Sequence, residues 1–250
     1  MIIDSHVHAG SCDVFGLDQP PAQVMQVMER HHIAASLVQP FPGVWDAPAT
    51  HDAIARLAGD HPGRIFGIAS APPHGDPAVY SAEIRRCVRE LSFVGVKLHT
   101  IGHAIGPASP GAAVVAALAE ELDVPVLIHT GMGIPFADPA VWMPLIQRHP
   151  AVRFVLCHAG GGILGGAAGA VARACANVWL ETSAVGVQDL HGFRRTLGAG
   201  RLMYGSDLLA AIPVELAKYG TLNLTEAERN RVLHGTAEEV FRLKEHAAPS

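Results

Sequence analysis

The sequence predicts a (β/α)8 barrel, in which eight parallel strands form a closed barrel covered by helices. Short apolar runs alternate with helical patterns along the 250 residues, and eight such units can be distinguished. The runs are apolar almost throughout, as strands buried on both faces require. Eight units at this length are typical of one barrel, so we expect residues 1–250 to form a single domain. An open doubly wound sheet is the alternative.

The predicted strands are short and rich in Val, Ile and Leu. In order they are residues 2–8, 33–39, 64–69, 94–100, 124–130, 152–158, 177–182 and 201–207. Helical patterns lie between them at residues 22–31, 51–59, 77–91, 111–122, after Pro139 and within the Gly/Ala-rich run 159–176, and another follows the last strand at 213–219. Thr225 followed by Glu226 and Glu228 is typical of a helix start and predicts a C-terminal helical extension on the outside of the barrel.

Composition excludes several classes of partner. The net charge is −5 and no basic run occurs, which argues against nucleic acid and anionic membranes as partners. The four cysteines are widely spaced, so we expect neither a zinc ribbon nor disulfides. The first predicted strand begins at residue 2, which leaves no room for a signal peptide, and we expect a soluble, cytoplasmic protein. The sequence does not determine the oligomeric state, and a homo-oligomer is one of the alternatives.

Polar side chains stand at the ends of the predicted strands. On the first strand Asp4, His6 and His8 alternate onto one face, and Ile3, Ser5 and Val7 onto the face that a helix covers. Later strands end with Lys97, His99, His129, His158 and Asp207. Because barrel enzymes carry their active sites at the carboxyl ends of the strands, we expect these side chains to meet there.

These motifs resemble those of the amidohydrolase superfamily, most closely the amidohydrolase 2 branch that includes relatives of aminocarboxymuconate-semialdehyde decarboxylase. The resemblance rests on Asp4-x-His6-x-His8, Gly95-Val-Lys97-Leu-His99, Leu127-Ile-His129, Leu156-Cys-His158 and Tyr204-Gly-Ser-Asp207. It implies a divalent metal ion bound by His6, His8, His129 and Asp207, with His158 beside it. The sequence departs from the family at Leu208-Leu209, where a proline is often nearby, and at Gly235-Thr236-Ala237, where Gly-Asn-Ala is common.

Imidazole and carboxylate ligands with an open position suit zinc best, with manganese, iron or cobalt as alternatives. Such an ion lowers the pKa of its water from 15.7 to about 7 and polarises a carbonyl. Asp207 would take the proton of that water and pass it to the leaving group. His158 would either bind a second metal or form a hydrogen bond with the reacting oxygen.

Lys97 has two interpretations. It is either a buried amine paired with a carboxylate or, as in binuclear relatives, a carboxylated lysine that bridges two metals. We expect a single ion. His99 contacts the substrate or belongs to the core, and Asp4 supports the ligands from below. Gly160–Gly162 could hold a phosphate or simply let the backbone turn. We expect Cys157 to pack against a helix, and the histidines on helices, His51 among them, to lie at the surface.

The predicted function is that of a metal-dependent hydrolase of an amide, lactone or ester, with small molecules as its substrates. A non-oxidative decarboxylase on the same site is the alternative, and a non-catalytic metal-binding protein is a third hypothesis. The segments after the strands contain no Arg or Lys, which predicts a neutral or cationic, moderately apolar substrate. Their acidic and aromatic residues are Asp13, Asp18, Asp46, Asp76, Asp138, Phe15, Phe41, Trp45 and Phe136.

Overall fold

The computed structural model describes residues 1–12 and 16–246 and has the predicted barrel as its fold. The strands are β1 Ile3–Cys12, β2 Leu17–Gln19, β3 Ala35–Pro40, β4 Ile65–Ser70, β5 Gly95–Leu98, β6 Val126–His129, β7 Phe154–Cys157, β8 Val178–Glu181 and β9 Leu202–Met203. They form one sheet in the order β2-β1-β3-β4-β5-β6-β7-β8-β9, and only the short β2 is antiparallel to its neighbour. A bridge between Val7 and Asp207 joins the first and last strands, so the sheet closes on itself.

Helices cover the outside of the barrel. They are α1 Pro21–Arg30, α2 Ala47–Asp60, α3 Pro77–Arg89, α4 Pro110–Leu122, α5 Pro139–Arg148, α6 Gly165–Ala174, α7 Val187–Leu197, α8 Ile212–Tyr219, α9 Glu226–Asn230, α10 Thr236–Val240 and α11 Leu243–His246. Four of them begin with the same combination, a proline in the first turn after a residue whose side-chain oxygen accepts a backbone N–H: Asp46, Asp76, Ser109 and Asp138. The proline fixes a helical φ and the cap satisfies a free N–H, so these helices start sharply after the strand-end loops.

The last two helices, α10 and α11, cover one end of the barrel interior rather than packing on its outside. Thr225 and Glu228 form the capping box that the sequence predicts at the start of α9. Val240 and Phe241, however, belong to the same buried cluster as Leu37 and other side chains that point into the barrel. The prediction of an external position is wrong for this part, because the interior apolar side chains need a cover at the open end.

Strand β1 is irregular at the residues that carry chemistry. Its pairing with β3 shifts register between Asp4 and Val7, which marks a bulge. Ile3 therefore packs in the interior cluster while Val7 packs on the helical side, so the predicted alternation is wrong at Ile3. Asp4 is fully buried, and its Oδ1 accepts N–H bonds from His6 at 3.2 Å and from Ser206 at 2.9 Å. Burial raises the pKa of Asp4 to about 7.

The predicted surroundings of two side chains are wrong. His51 is buried instead of exposed: its Nδ1–H donates to Glu83 Oε1 at 2.8 Å, and its Nε2 accepts the N–H of Ser70 at 3.0 Å. Cys157 belongs to the interior cluster and not to the cluster between the strands and the outer helices. The strand ends at Cys157 and His158 has a φ of 62°, so the two side chains do not alternate across a regular strand.

Within the described residues, no helix is both long and apolar enough to cross a membrane.

Candidate metal centre

A cavity of about 330 Å³ opens at the carboxyl ends of the strands. It is lined by His8, Leu17, Phe41, Pro42, His99, Ile101, His129, Met132, His158, Gly161, Gly162, Ala184, Asp207 and Leu208. Every predicted site residue except His6 and Lys97 is on this wall, and those two lie beneath it. Among the described lining residues there is no Arg or Lys, as the sequence predicts.

Three atoms able to donate an electron pair converge at the floor of this cavity. His6 Nε2 lies 3.2 Å from His8 Nε2, and Asp207 Oδ1 lies 3.4 Å from each of them. Ligands placed tetrahedrally about 2.0–2.1 Å from a zinc ion would be about 3.3–3.4 Å apart. Octahedral ligands around a slightly larger ion would have similar separations, so the triangle fits several divalent metals.

The hydrogen bonds of the two imidazoles show which nitrogen of each carries the proton. His8 Nδ1 lies 3.0 Å from the carbonyl oxygen of Pro40, which can only accept, so His8 carries a proton on Nδ1. His6 Nδ1 lies 2.7 Å from Glu181 Oε2 and donates to that carboxylate. Both Nε2 atoms therefore direct lone pairs toward Asp207, with Lys97 Nζ 3.0 Å from that of His6 and Gln39 Nε2 3.2 Å from that of His8 as hydrogen-bond donors. Two imidazole nitrogens and a carboxylate oxygen that converge in this way form a donor set that fits a divalent metal ion.

Asp207 is placed by its backbone. Its N–H donates to His6 O at 2.7 Å and its carbonyl accepts the N–H of His8 at 3.3 Å, which fixes the carboxylate over the two imidazoles. Its φ of 66° turns the chain sharply at the strand end. Burial alone would raise its pKa, but the neighbouring imidazoles of His158 and His8 hold the pKa of Asp207 well below its usual value. The carboxylate is 31% exposed and faces the cavity.

Glu181, at the end of β8, is the site residue that sequence reasoning missed. It is fully buried, and besides His6 its carboxylate accepts the N–H of His158 at 3.2 Å and the N–H and Oγ–H of Ser183 at 2.5 and 2.9 Å. Burial opposes ionisation, but His6 and these donors lower the pKa of Glu181 to about 2. The sequence did offer a signal for Glu181: it is a carboxylate at an inward-facing position of an otherwise apolar strand.

His129 lies beside the three donor atoms without joining them. Among the described residues, two groups of donor atoms within 4.8 Å of one another include a site histidine: His6 with His8 and Asp207, and His6 with His158 and Glu181. His129 belongs to neither group. The His129 ring stacks on His99 at 4.1 Å between centroids and meets His158 edge-on at 4.7 Å. Both of its nitrogens are buried without a hydrogen-bond partner, so they can bind a ligand or an ion.

Lys97 is fully buried beneath His6, His8 and Asp207. Its Nζ lies 3.0 Å from His6 Nε2 and 3.2 Å from Cys157 Sγ. These neighbours replace the carboxylate partner that one interpretation of the sequence expects.

The aromatic cover of the cavity differs from the prediction. Phe41 lines the wall and stacks on His8 with 4.9 Å between centroids, but Trp45 and Phe136 are not among the lining residues. Asp13 and Phe15 lie outside the described residues. A larger cavity of about 550 Å³ lies at the other end of β4, beside α2, and contains none of the strand-end histidines of the site.

The fold and the site together define a barrel enzyme, a class in which the active site lies at the carboxyl ends of the strands. The chain belongs to the amidohydrolase 2 family, whose family model, described as Amidohydrolase, matches residues 3–243. This confirms the resemblance seen in the strand-end motifs.

The known proteins that this chain resembles differ from one another in activity. The chain is 24% identical over 241 residues to a 2-keto-4-carboxy-3-hexenedioate hydratase of Sphingobium sp. strain SYK-6, with 78% of this chain and 71% of the hydratase covered. A dihydroxybenzoic acid decarboxylase of Polaromonas sp. JS666, solved with bound manganese and the inhibitor 2-nitroresorcinol, matches with a TM-score of 0.77 and 18% identity over 97% of each chain. A 4-oxalomesaconate hydratase of Rhodopseudomonas palustris matches with a TM-score of 0.73 and 16% identity, over 98% of this chain and 97% of that one. At these identities the structural likeness shows the fold.

Proposed function

We propose that this protein is a divalent-metal-dependent hydrolase that cleaves an amide, lactone or ester bond of a small, neutral, moderately apolar molecule. The observation that carries the proposal is the triangle of His6 Nε2, His8 Nε2 and Asp207 Oδ1 at the floor of an apolar cavity. Three fixed ligands that leave coordination positions open toward a cavity are typical of catalytic metal sites.

His6, His8 and Asp207 would hold the ion, and the unpartnered nitrogens of His129 make it the best further ligand. The donor set accepts zinc, manganese, iron or cobalt. The decarboxylase of the same fold was solved with manganese, which supports manganese as a candidate alongside zinc. We propose one ion per chain, supported by the donor atoms of His6, His8 and Asp207, which surround a single point.

The chain's own groups can carry out the remaining chemistry. When bound, a divalent ion supplies Lewis acidity, which polarises a carbonyl and makes water acidic enough to ionise near neutral pH. Asp207 is ionised and partly open to the cavity, so its carboxylate accepts a proton from the attacking water and returns it to the leaving group. The apolar wall around Phe41 and Leu208 excludes other water.

The cavity's size and lining support the substrate class. A volume of about 330 Å³ is at the lower end of the range for small-molecule sites. Enzymes that select carboxylates or phosphates usually add an arginine or lysine to the wall. Such a side chain does not occur among the described residues that line the cavity, which favours a neutral group there.

Non-oxidative decarboxylation, or hydration of an unsaturated acid, is the second candidate. The relatives favour it, since those named above are hydratases and a decarboxylase. In that case the substrate's carboxylate would find its charge partner in the metal instead of in an arginine.

The test compares matched substrates on the purified protein loaded with zinc or manganese. Metal per chain is measured by inductively coupled plasma mass spectrometry, and kcat/KM is measured for neutral and carboxylated esters, lactones and amides. Aromatic acids are assayed for CO₂ release and unsaturated dicarboxylates for hydration. We expect neutral substrates to be hydrolysed, and His8→Ala to lose both metal and activity. A preference above about tenfold for the anionic member, roughly 1.4 kcal/mol, would favour the second candidate instead.

A further inference from the structure

A continuous chain of hydrogen bonds connects the two buried imidazoles His6 and His158. His6 Nδ1 lies 2.7 Å from Glu181 Oε2, the Oγ of Ser183 lies 2.9 Å from the same oxygen, and His158 Nδ1 lies 2.9 Å from that Oγ. All four side chains are buried. No solvent competes for these bonds, so the direction of each one is fixed by the groups themselves.

The directions follow from the number of protons available. A serine hydroxyl has one proton, and an ionised carboxylate can only accept. Four donors converge on Glu181, two of them backbone N–H groups, so its carboxylate is the acceptor throughout. The Ser183 proton must therefore point to Glu181, and Ser183 Oγ must accept a proton from His158 Nδ1. Neutral His158 then has its lone pair on Nε2, on the ring edge opposite Ser183.

We propose that Ser183 and Glu181 are positioning residues that fix His158 as the tautomer protonated on Nδ1, so that its Nε2 faces the cavity as a hydrogen-bond acceptor. The inference rests on the proposed function for the next step, in which Nε2 accepts a hydrogen bond from the attacking water and orients it for Asp207. This role differs from a hydrogen bond that His158 would donate to the reacting oxygen.

The segment that carries Ser183 is held rigidly, as a positioning role requires. Lys218 Nζ, on α8, donates to the carbonyls of Thr182 at 3.1 Å and Val185 at 3.0 Å, on either side of Ser183. From the same helix, Glu215 accepts the N–H of Ala184 at 3.1 Å. These contacts fix the backbone around Ser183, and the bonds to Glu181 and His158 orient its hydroxyl, so the tautomer is set before a substrate arrives.

The first test needs neither metal nor substrate. Long-range ¹H–¹⁵N correlation spectra of the metal-free protein distinguish the two neutral tautomers of a histidine, and the His158 signals are assigned by their loss in His158→Gln. We expect His158 to carry its proton on Nδ1 in the wild type. In Ser183→Ala, we expect a mixture of tautomers, while Ser36→Ala, a buried serine on β3 whose hydroxyl has no partner, should leave the spectrum unchanged. A proton on Nε2 in the wild type overturns the proposal.

The second test uses kinetics and metal binding. Loss of a group that orients such an imidazole typically costs 10–100-fold, so Ser183→Ala should lower kcat by that factor with KM nearly unchanged. Its metal affinity should stay near the wild-type value, because His6 keeps Glu181. Ser183→Thr, which retains the hydroxyl, should recover most of kcat.

The outcomes separate the two proposals. Equal losses of metal affinity and kcat in Ser183→Ala would make His158 a metal ligand and overturn its role toward water. If no hydrolase substrate is found but His158 carries its proton on Nδ1, the proposed function fails and the positioning of His158 stands.

Discussion

Gly205, which precedes Ser206 and Asp207, has no room for a side chain, and its replacement tests the geometry of the site. A Cβ at this position would lie 2.5 Å from Glu181 Oε1, 2.8 Å from Glu181 Cδ and 2.9 Å from His6 Cβ. Ordinary contacts begin near 3.4 Å, so in Gly205→Ala the carboxylate must retreat by about 0.9 Å or the strand must move. Either shift disturbs the 2.7 Å bond that orients His6.

The expected cost has two parts. Overpacking a dense core typically costs about 1–3 kcal/mol of unfolding free energy. Disturbing the partner of a metal-binding imidazole typically weakens metal affinity 10–100-fold. We therefore expect Gly205→Ala to fold with a lowered Tm and to bind zinc or manganese at least tenfold more weakly.

Gly192 provides the matched control. It lies within α7, and a Cβ there would meet nothing within 4 Å. Gly192→Ala should leave metal affinity unchanged and stabilise the fold by about 0.5–1 kcal/mol, since alanine is the better helix former. Unfolding is followed by circular dichroism and metal affinity by isothermal titration calorimetry. Wild-type metal affinity and Tm in Gly205→Ala would refute the placement of Glu181 against His6.

Three further predictions concern single side chains. Asp207→Asn, at saturating metal, should lose about 10²–10⁴ in kcat, and near wild-type turnover would move the proton acceptor elsewhere. Wild type and Lys97→Arg should both hold about one metal ion per chain; two ions with a carbamate on Lys97 would show a binuclear centre instead. Burial opposes the ionisation of Glu83, but Arg86 and His51 lower its pKa to about 2. A lowered pKa stabilises the folded state above the unfolded value near 4.5, so this contribution disappears as the pH falls toward 2. After solvent screening we expect it to be about 1–2 kcal/mol, seen as the difference in unfolding free energy between wild type and Glu83→Gln at pH 7 but not at pH 2.

Much of the fold and the positions of the candidate ligands could be predicted from the sequence. Periodicity determines which segments are buried on both faces, and eight such segments at this length leave few architectures. Once the barrel is predicted, every strand end lies at the same rim, so His6, His8 and Asp207 are expected to meet. Their separations of 3.2–3.4 Å are consistent with that expectation, although the binding of a metal stays a proposal.

Side-chain direction near a strand end could not be predicted in the same way. Alternation holds only while the backbone stays extended, and this barrel breaks it at its functional residues, with a bulge after Asp4 and a positive φ at His158. Those breaks put Ile3 and Cys157 inside the barrel. Glu181 was overlooked for a related reason: its role depends on the proton count of Ser183 and two imidazoles from distant strands. A carboxylate in an apolar strand needs buried donors around it, so such residues should be treated as site candidates even when no motif includes them.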